Sequence, residues 1–204
     1  MLETVSDELL AYQEERLNSF KELNKKTAPA GIVFTGDSIV EFFPLKKYLG
    51  REFPLINRGI AGTDSQWLLE HINDQVLELD PEKVFILIGT NDIGLGKTVS
   101  EIKSQILDVL IAIRSENPFI KIYLISVLPV SEKPMYQKTV KVRSNDVINQ
   151  LNDELNALPG MEFIAVSQTL KSDGKGLADN YTTDGLHLTM EGYHKLSQIL
   201  LDYL

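Results

Sequence analysis

The chain has 204 residues, 43% hydrophobic and 24% charged, which is typical of one globular domain that buries a sizeable core. It carries 20 basic and 29 acidic residues, and the formal charge of −9 disfavours binding to nucleic acid and to anionic membranes. It has no cysteine, which excludes disulfides, thiolate zinc sites and a cysteine nucleophile.

The N-terminal stretch is the first predicted element. Residues 1–26 contain a charged helix that we expect to pack on the outside of a single domain spanning residues 1–204. The start, MLETVSDELL, is acidic and lacks the apolar centre of a signal peptide. No apolar run approaches the roughly 18 residues that a membrane-spanning helix needs. We therefore expect a cytoplasmic protein with no membrane span.

Five short apolar runs, rich in β-branched residues and bounded by glycine or proline, predict β-strands. They cover residues 32–34, 55–56, 84–88, 120–127 and 163–166. Continuous apolar runs are typical of strands that are covered on both faces, as in a parallel sheet.

Between these runs, hydrophobic residues recur at helical spacing. The clearest stripes are Leu69, Ile72, Val76 and Leu79; Val99, Ile102, Ile106, Val109 and Ile113; Ile148, Leu151, Leu155 and Leu158; and Tyr193, Leu196, Leu200 and Tyr203. The alternation predicts a three-layer α/β/α fold with a five-stranded parallel sheet. Right-handed crossovers place the strand-to-helix loops at one edge of such a sheet, where α/β proteins bind ligands.

Four loops of this predicted edge carry polar residues of the kinds used in acyl transfer. They are GDSIV, NRGIAGTD and GTNDIG after the first three strands, and TTDGLHLT before the last helix.

The first loop lies in the stretch GIVFTGDSIV, whose glycine spacing is that of a phosphate-binding loop. Asp37 stands where that loop requires lysine, and its carboxylate would repel a phosphate. Gly31 precedes the strand instead of following it. We interpret the stretch as a turn that presents Ser38 as a nucleophile, with Asp37 holding the turn.

A serine hydroxyl needs a positioned base, and the chain has three histidines. His71 and His194 fall within predicted helices, whereas His187 lies in the loop sequence DGLH. Within one turn, Asp184 can reach one ring nitrogen of His187 and leave the other to face Ser38. We predict Ser38 as nucleophile, His187 as base and Asp184 as the residue that orients the base.

The second and third loops are predicted to stabilise charge. A tetrahedral intermediate needs hydrogen-bond donors aimed at its oxyanion. Asn91 offers a side-chain amide, Gly59 offers a backbone N–H without a side chain to shield it, and Ser38 offers its own N–H. We predict these three groups as an oxyanion hole.

Together, the loop motifs resemble those of a known family. Gly-Asp-Ser, the glycine of INRGIAG, GTND and DGLHL are similar to blocks I, II, III and V of the SGNH (GDSL-like) esterases and acylhydrolases, over residues 31–190. The stretch INRGIAGTDS is also similar to the branch that contains the platelet-activating-factor acetylhydrolases, and Ile39 replaces the leucine of the name motif. The resemblance implies a flavodoxin-like sheet and a metal-free serine hydrolase, with Ser38 as nucleophile, Gly59 and Asn91 as oxyanion donors beside the Ser38 amide, and Asp184 and His187 as the rest of the triad.

The expected substrate is a small carboxylic ester, cleaved through an acyl-enzyme on Ser38. A short acyl group such as acetyl is favoured because no lid-like amphipathic insertion is visible. We expect no cofactor, no metal and no nucleic-acid partner, and a monomer or a homodimer. Six apolar residues near the motifs either line an acyl pocket or belong to the core: Ile39, Val40, Phe42, Phe43, Met135 and Tyr136. For the first four of these, Ile39, Val40, Phe42 and Phe43, the core is favoured.

Two other functions stay open on the residues alone, because each motif taken singly is also a common turn or helix cap. One is a non-catalytic flavodoxin-like module that holds a flavin or a sugar, since an α/β fold does not imply catalysis. The other is a metal-dependent phosphoesterase, because GD and GTND loosely resemble di-metal motifs. Such sites usually take several histidines, and this disfavours the second alternative.

Overall fold

The computed structural model describes residues 1–172 and 176–204. Its strands are β1 (Ile32–Gly36), β2 (Leu55–Gly59), β3 (Lys83–Leu87), β4 (Lys121–Ile125) and β5 (Glu162–Ile164). They form one parallel sheet in the order β2-β1-β3-β4-β5, which is the order of flavodoxin-like sheets. The predicted α/β fold with five parallel strands is confirmed.

Helices connect the strands and cover the sheet. They are α1 (Asp7–Asn24), α2 (Ser38–Glu41), α3 (Leu45–Tyr48), α4 (Ser65–Glu70), α5 (Ile72–Gln75), α6 (Thr90–Leu95), α7 (Val99–Glu116), α8 (Gln137–Val140), α9 (Asn145–Asn156) and α10 (Met190–Leu200). The four longest begin after Ser6, Thr98, Ser144 and Thr189, whose hydroxyls accept backbone N–H groups of the first turn. A short antiparallel pair, β6 (Lys171–Ser172) and β7 (Gly176–Leu177), follows β5.

The core lies on both faces of the sheet, which explains the continuous apolar runs. In β3, Val84 and Ile86 belong to one hydrophobic cluster, whereas Phe85 belongs to the cluster on the opposite face. The ring of Phe85 stacks on Phe34 at 4.4 Å and on Tyr123 at 4.7 Å between centroids. Each central strand therefore needs apolar side chains at successive positions.

The predicted helix with the stripe from residue 69 to 79 is not continuous. Helix α4 ends at Glu70, α5 is about one turn long, and a 3-10 helix follows (Leu77–Leu79). The breaks fall at His71 (φ −116, ψ 18) and Val76 (φ −135, ψ −57), whose backbone angles are not helical. At the end of α5, the buried Gln75 reaches the sheet, where its Nε2 donates to the carbonyl oxygen of Arg58 at 2.8 Å, a contact that hydrophobic spacing does not reveal.

Helix α1 packs on the domain beside the loop that follows β2. Leu17 and Phe20 of α1 bury their side chains with Ile60, the first residue after β2. Over residues 1–172 and 176–204, no helix combines the length and the apolar character needed to cross a membrane.

The carboxyl ends of β1, β2 and β3 gather the first three predicted loops at one edge. There the N–H of Ile60 donates to the carbonyl oxygen of Gly36 at 3.0 Å. The fourth loop precedes α10, whose Tyr193 hydroxyl donates to the carbonyl oxygen of Ile39 at 2.9 Å and so ties α10 to α2. The fold thus brings all four loops to one place.

Candidate active site

Ser38 begins helix α2, directly after the turn that ends β1. Gly36 has φ +148, and a Cβ there would overlap the carbonyl oxygen of Leu87 on β3, so only glycine fits. Asp37 caps α2, because its Oδ1 accepts the N–H of Ile39 at 2.9 Å. The turn holds Ser38 at the edge of the sheet with 6% of the residue exposed.

The side chain of Asp37 is completely buried beneath this turn. Burial raises the pKa of its carboxyl to about 7, although the hydrogen bond from Ile39 opposes the shift. Within the described ranges its second oxygen, Oδ2, has no hydrogen-bond partner. These contacts agree with a residue that holds the turn.

His187 lies between Ser38 and Asp184. Its Nε2 is 3.1 Å from Ser38 Oγ, and its Nδ1 is 2.7 Å from Asp184 Oδ2. The other carboxylate oxygen, Asp184 Oδ1, accepts the N–H groups of Leu186 at 2.9 Å and His187 at 2.8 Å. The Asp-x-x-His spacing therefore closes one turn, and the structure brings Ser38, His187 and Asp184 into a single hydrogen-bonded chain.

The pKa of Asp184 is lowered from its ordinary value. Burial alone would raise it, but hydrogen bonds from the His187 ring and from the amides of Leu186 and His187 outweigh that effect. The carboxylate is thus ionised at neutral pH, and it can accept a hydrogen bond from the His187 Nδ1–H. The neutral tautomer that carries this hydrogen leaves Nε2 free to accept the proton of Ser38.

Asn91 lies in α6, after β3, and is also at this edge. Its Nδ2 donates to the carbonyl oxygen of Thr63 at 2.9 Å, and its Oδ1 accepts from Arg143 Nη2 at 3.1 Å. Because the amide carries two hydrogens on Nδ2, one remains after the bond to Thr63. Asn91 can therefore still donate to a ligand.

Gly59 does not present a free amide. Its N–H donates to Oδ1 of Asn57 at 2.9 Å, and a Cβ at this position would overlap the backbone nitrogen of Glu41 in α2. Gly59 thus allows the end of β2 to pack closely against α2. The hydrogen bond to Asn57 leaves the N–H of Gly59 paired, which disfavours the predicted role of Gly59 as an oxyanion donor.

Gly62, three residues further on, differs from Gly59 in its backbone amide. It has φ +77, and its N–H has no acceptor in the part of the chain that the structure describes. The next residue, Thr63, receives the amide of Asn91, so the loop runs beside Asn91. The sequence RGIAG contains both glycines, but spacing does not reveal which amide is unpaired.

The other two histidines lie elsewhere. His71 follows α4 and its ring contacts Trp67 at 4.3 Å, whereas His194 of α10 stacks on Tyr48 at 5.7 Å between centroids. Among the described residues there is no group of three or more His, Asp or Glu side chains arranged to hold a metal ion.

The apolar residues near the site divide into core and rim. Ile39, Val40 and Phe43 are buried in the core, as expected. Phe42 departs from that expectation, because it is 50% exposed and its ring centroid is 5.9 Å from that of His187. Met135 is 74% exposed. Of the predicted pocket residues, Phe42 has its ring beside that of His187.

Comparison with solved structures identifies close neighbours of this fold. The chain aligns with a Streptococcus pneumonia protein described as a platelet activating factor at a TM-score of 0.91, with 37% identity, covering 96% of this chain and 94% of that chain. A GDSL-like lipase from Bacteroides thetaiotaomicron aligns at a TM-score of 0.79 with 24% identity, covering 92% and 96% of the two chains, and shows the shared fold.

Curated relatives are of two kinds. The chain is 31% identical over 185 residues to an N-acylneuraminate cytidylyltransferase of Escherichia coli, covering 89% of this chain but only 42% of that protein. The chain therefore spans less than half the length of this relative. It is 28% identical over 177 residues to platelet-activating factor acetylhydrolase IB subunit alpha2 of Gallus gallus, covering 83% of this chain and 73% of that protein.

The sequence pattern of one protein family also matches most of the chain. The GDSL-like Lipase/Acylhydrolase family matches residues 34–195, a range that contains Ser38, Asn91, Asp184 and His187. The chain belongs to the GDSL-like lipase/acylhydrolase family and is a serine hydrolase that acts on ester bonds.

Proposed function

We propose that the protein hydrolyses small carboxylic esters with short acyl groups, through an acyl-enzyme on Ser38. The observation that carries the proposal is the hydrogen-bonded chain from Ser38 Oγ through His187 to Asp184, at 3.1 and 2.7 Å. A serine linked to a base that is itself oriented by a carboxylate is the arrangement that activates a hydroxyl nucleophile.

In the first half-reaction, Ser38 Oγ attacks the ester carbonyl carbon while its proton passes to His187 Nε2. The resulting imidazolium is stabilised by the carboxylate of Asp184, whose lowered pKa keeps it ionised. Collapse of the tetrahedral intermediate expels the alcohol, which takes the proton from Nε2. Water then attacks the carbonyl carbon of the acyl-enzyme while His187 Nε2 takes its proton, and the second tetrahedral intermediate collapses to release the acid and return the proton to Ser38 Oγ.

The negative charge on the carbonyl oxygen requires donors that are fixed before the reaction. We propose the N–H of Ser38, the second Nδ2 hydrogen of Asn91, and the N–H of Gly62 in place of that of Gly59. The unpaired amide of Gly62 and its position next to Thr63, which binds Asn91, support the replacement.

The preference for a short acyl group has two supports. Curated relatives over most of the chain are acetylhydrolases by name. In addition, Phe42 stands at the rim beside His187, where its ring takes up space next to the histidine that the acyl group of a substrate would otherwise occupy. The lack of cysteine suits a reducing cytoplasm, where we place the enzyme.

The first test compares p-nitrophenyl esters from acetate to octanoate, in the presence of EDTA. We expect Ser38→Ala to lower kcat by about 10⁴–10⁶, because loss of a triad member removes the nucleophile while binding groups persist. Ser115→Ala is the matched control, since this exposed serine of α7 donates to the carbonyl oxygen of Ile111 one turn earlier in its own helix, and it should retain full activity. The wild type should prefer acetate.

Other outcomes would separate the alternatives. Equal activity of Ser38→Ala and wild type would overturn the nucleophile, and loss of activity with EDTA would favour metal-dependent chemistry. A kcat/KM that rises toward octanoate would overturn the short-acyl preference. Absence of turnover together with absence of fluorophosphonate labelling at Ser38 would leave a binding module.

A further inference from the structure

Arg143 is a fully buried cation directly behind Asn91. It is 2% exposed, and its Nε donates to the carbonyl oxygen of Thr90 at 2.8 Å while its Nη2 donates to Asn91 Oδ1 at 3.1 Å. Placing a guanidinium in the interior is costly unless its donors are satisfied. The chain keeps this cation beside the residue whose amide would face the substrate.

The contact determines which end of the Asn91 amide faces the site. Arg143 can only donate, so Oδ1 must point toward it, and the carbonyl oxygen of Thr63 can only accept, so Nδ2 must point toward Thr63. The two partners together exclude the flipped amide. In the flipped form, the oxygen of Asn91 would face the developing oxyanion and repel it.

The N-terminal segment supplies the counter-charge to Arg143. The carboxylate of Glu3 forms an ion pair with Arg143 Nη2 and accepts Lys141 Nζ at 3.2 Å, and the N–H of Glu3 donates to the carbonyl oxygen of Gly94 in α6 at 2.8 Å. Burial raises the pKa of Glu3, but the charges and hydrogen bonds of Arg143 and Lys141 lower it overall. Glu3 is therefore a charged partner at neutral pH.

The same segment also contacts the second oxyanion loop. Gln13 of α1 is 2% exposed, and its Nε2 donates to the carbonyl oxygen of Ala61 at 3.1 Å. This carbonyl and the N–H of Gly62 belong to one trans peptide group, in which they point in opposite directions. By holding the carbonyl, Gln13 directs the N–H of Gly62 away from α1.

Glu41 fixes the other side of Ala61. Its Oε2 accepts the N–H of Ala61 at 2.6 Å, and its Oε1 is bound by Tyr12 and lies 3.3 Å from Arg16 Nε, both residues of α1. The peptide groups before and after Ala61 are thus both oriented by polar side chains, and α1 provides or supports each contact.

We propose that Arg143 and Gln13 are positioning residues of the oxyanion hole. Residues 3–16 hold two of its donors in place, the side-chain amide of Asn91 and the backbone N–H of Gly62. Arg143 acts through Asn91, and Gln13 acts through the peptide of Gly62. This inference rests on the proposed function, because it assigns those two groups to the oxyanion.

A double-mutant cycle with acetate ester as substrate tests the proposal. Arg143→Lys keeps the charge but loses the fork of the guanidinium. We expect kcat to fall about 10–100-fold while KM changes by no more than about threefold. This loss of kcat is smaller than the roughly 10²–10³-fold loss that follows when an oxyanion donor is removed. In an Asn91→Ala background the same change should have almost no further effect. Gln13→Leu should lower kcat similarly, but to the same extent in both backgrounds.

Two matched controls distinguish positioning from loss of packing. Arg114→Lys removes the bonds of another arginine to the carbonyl oxygens of Gly160 and Ile120, far from the site. Gln75→Leu makes the same change as Gln13→Leu at another buried glutamine, which binds Arg58. Both controls should lower the unfolding midpoint and leave kcat within about twofold.

The outcomes identify which idea fails. An Asn91→Ala variant with full kcat would overturn the oxyanion assignment itself, whereas a large loss in Asn91→Ala with no loss in Arg143→Lys would overturn only the positioning role. Equal losses from Arg143→Lys in both backgrounds would also overturn it. If Arg143→Lys does not fold, a Glu3→Gln variant replaces it in the same cycle, with an expected fall in kcat of about 2–10-fold that must vanish with Asn91→Ala.

Discussion

Asp37 shows at the scale of one residue how burial sets a pH dependence. Its carboxyl is buried, has a pKa of about 7 in the folded protein, and has an ordinary value of 3.8 when exposed. The folded state therefore binds the proton more tightly than the unfolded state. The corresponding stability is fully present below about pH 4 and is lost as the pH rises through about 7.

We predict that Asp37→Asn removes this dependence, because an amide retains an oxygen to cap α2 but never ionises. At pH 8 the variant should be more stable than the wild type by up to roughly 4 kcal/mol, since each pKa unit corresponds to about 1.4 kcal/mol. At pH 4 the two should differ little. Urea unfolding across this range is the measurement.

The control is Asp108→Asn, which replaces an exposed carboxylate on α7. It should follow the wild-type curve at every pH. The prediction would be contradicted if Asp37→Asn lost stability with rising pH as steeply as the wild type does.

The residues of the site differ in how far the sequence reveals them. Ser38, Asp184 and His187 stand out in the sequence because each lies next to a strand or helix signal, and because the spacing of Asp184 and His187 closes a single turn. Gly62 cannot be separated from Gly59 by sequence, since the difference is whether an amide has an acceptor. Arg143 lies far along the chain from its partners, and no pattern connects them.

At the scale of elements, the contact between β2 and α2 positions Ser38, the nucleophile that we propose. Gly59 ends β2, and the backbone of Glu41 in α2 occupies the space where a Cβ would be. Because α2 begins with Ser38, any displacement of this helix moves the hydroxyl relative to His187. The close approach thus connects a packing detail of the sheet with the geometry of the site.

We predict that Gly59→Ala costs several kcal/mol in the free energy of unfolding, on the scale of overpacking in a core, and lowers kcat more than tenfold. Gly160→Ala is the control, because a Cβ there meets nothing closer than Arg114 Nε at 4.0 Å. Its cost should be limited to about 1–2 kcal/mol from its left-handed φ of +82. Equal costs for the two variants, measured by urea unfolding, would contradict the steric explanation.

The strands are predicted better than the helices for a physical reason. Both faces of the sheet are covered, so the three central strands β1, β3 and β4 are mostly apolar runs that stand out from their surroundings, whereas β2 has only Leu55 and Ile56 as its apolar signal. The region from 65 to 79 has helical spacing, but the structure divides it into α4, α5 and a 3-10 helix, and Gln75 at the end of α5 donates to the carbonyl oxygen of Arg58. A polar contact between residues that are 17 positions apart in the sequence leaves no trace in the periodicity of the hydrophobic residues.

At the scale of the whole molecule, the formal charge of −9 affects which substrates reach the site. We predict that kcat/KM for 4-acetoxybenzoate, an anionic acetyl ester, rises about 2–10-fold between low and physiological ionic strength, because salt screens the repulsion. Phenyl acetate is the neutral control and should change little. An anionic ester whose kcat/KM falls with salt would show instead that local lysines dominate the approach.

Ser38 and His187 are 149 positions apart in the chain, and Tyr193 of α10 ties the end of the fold back to α2. The nucleophile that we propose therefore leaves the ribosome 149 residues before the base that we propose for it. A growing chain carries Ser38 in an inert state until His187 has been translated and its loop has folded. Hydrolytic activity in this sense reports that the chain has been made and folded as far as His187, and termination before that residue yields a silent product.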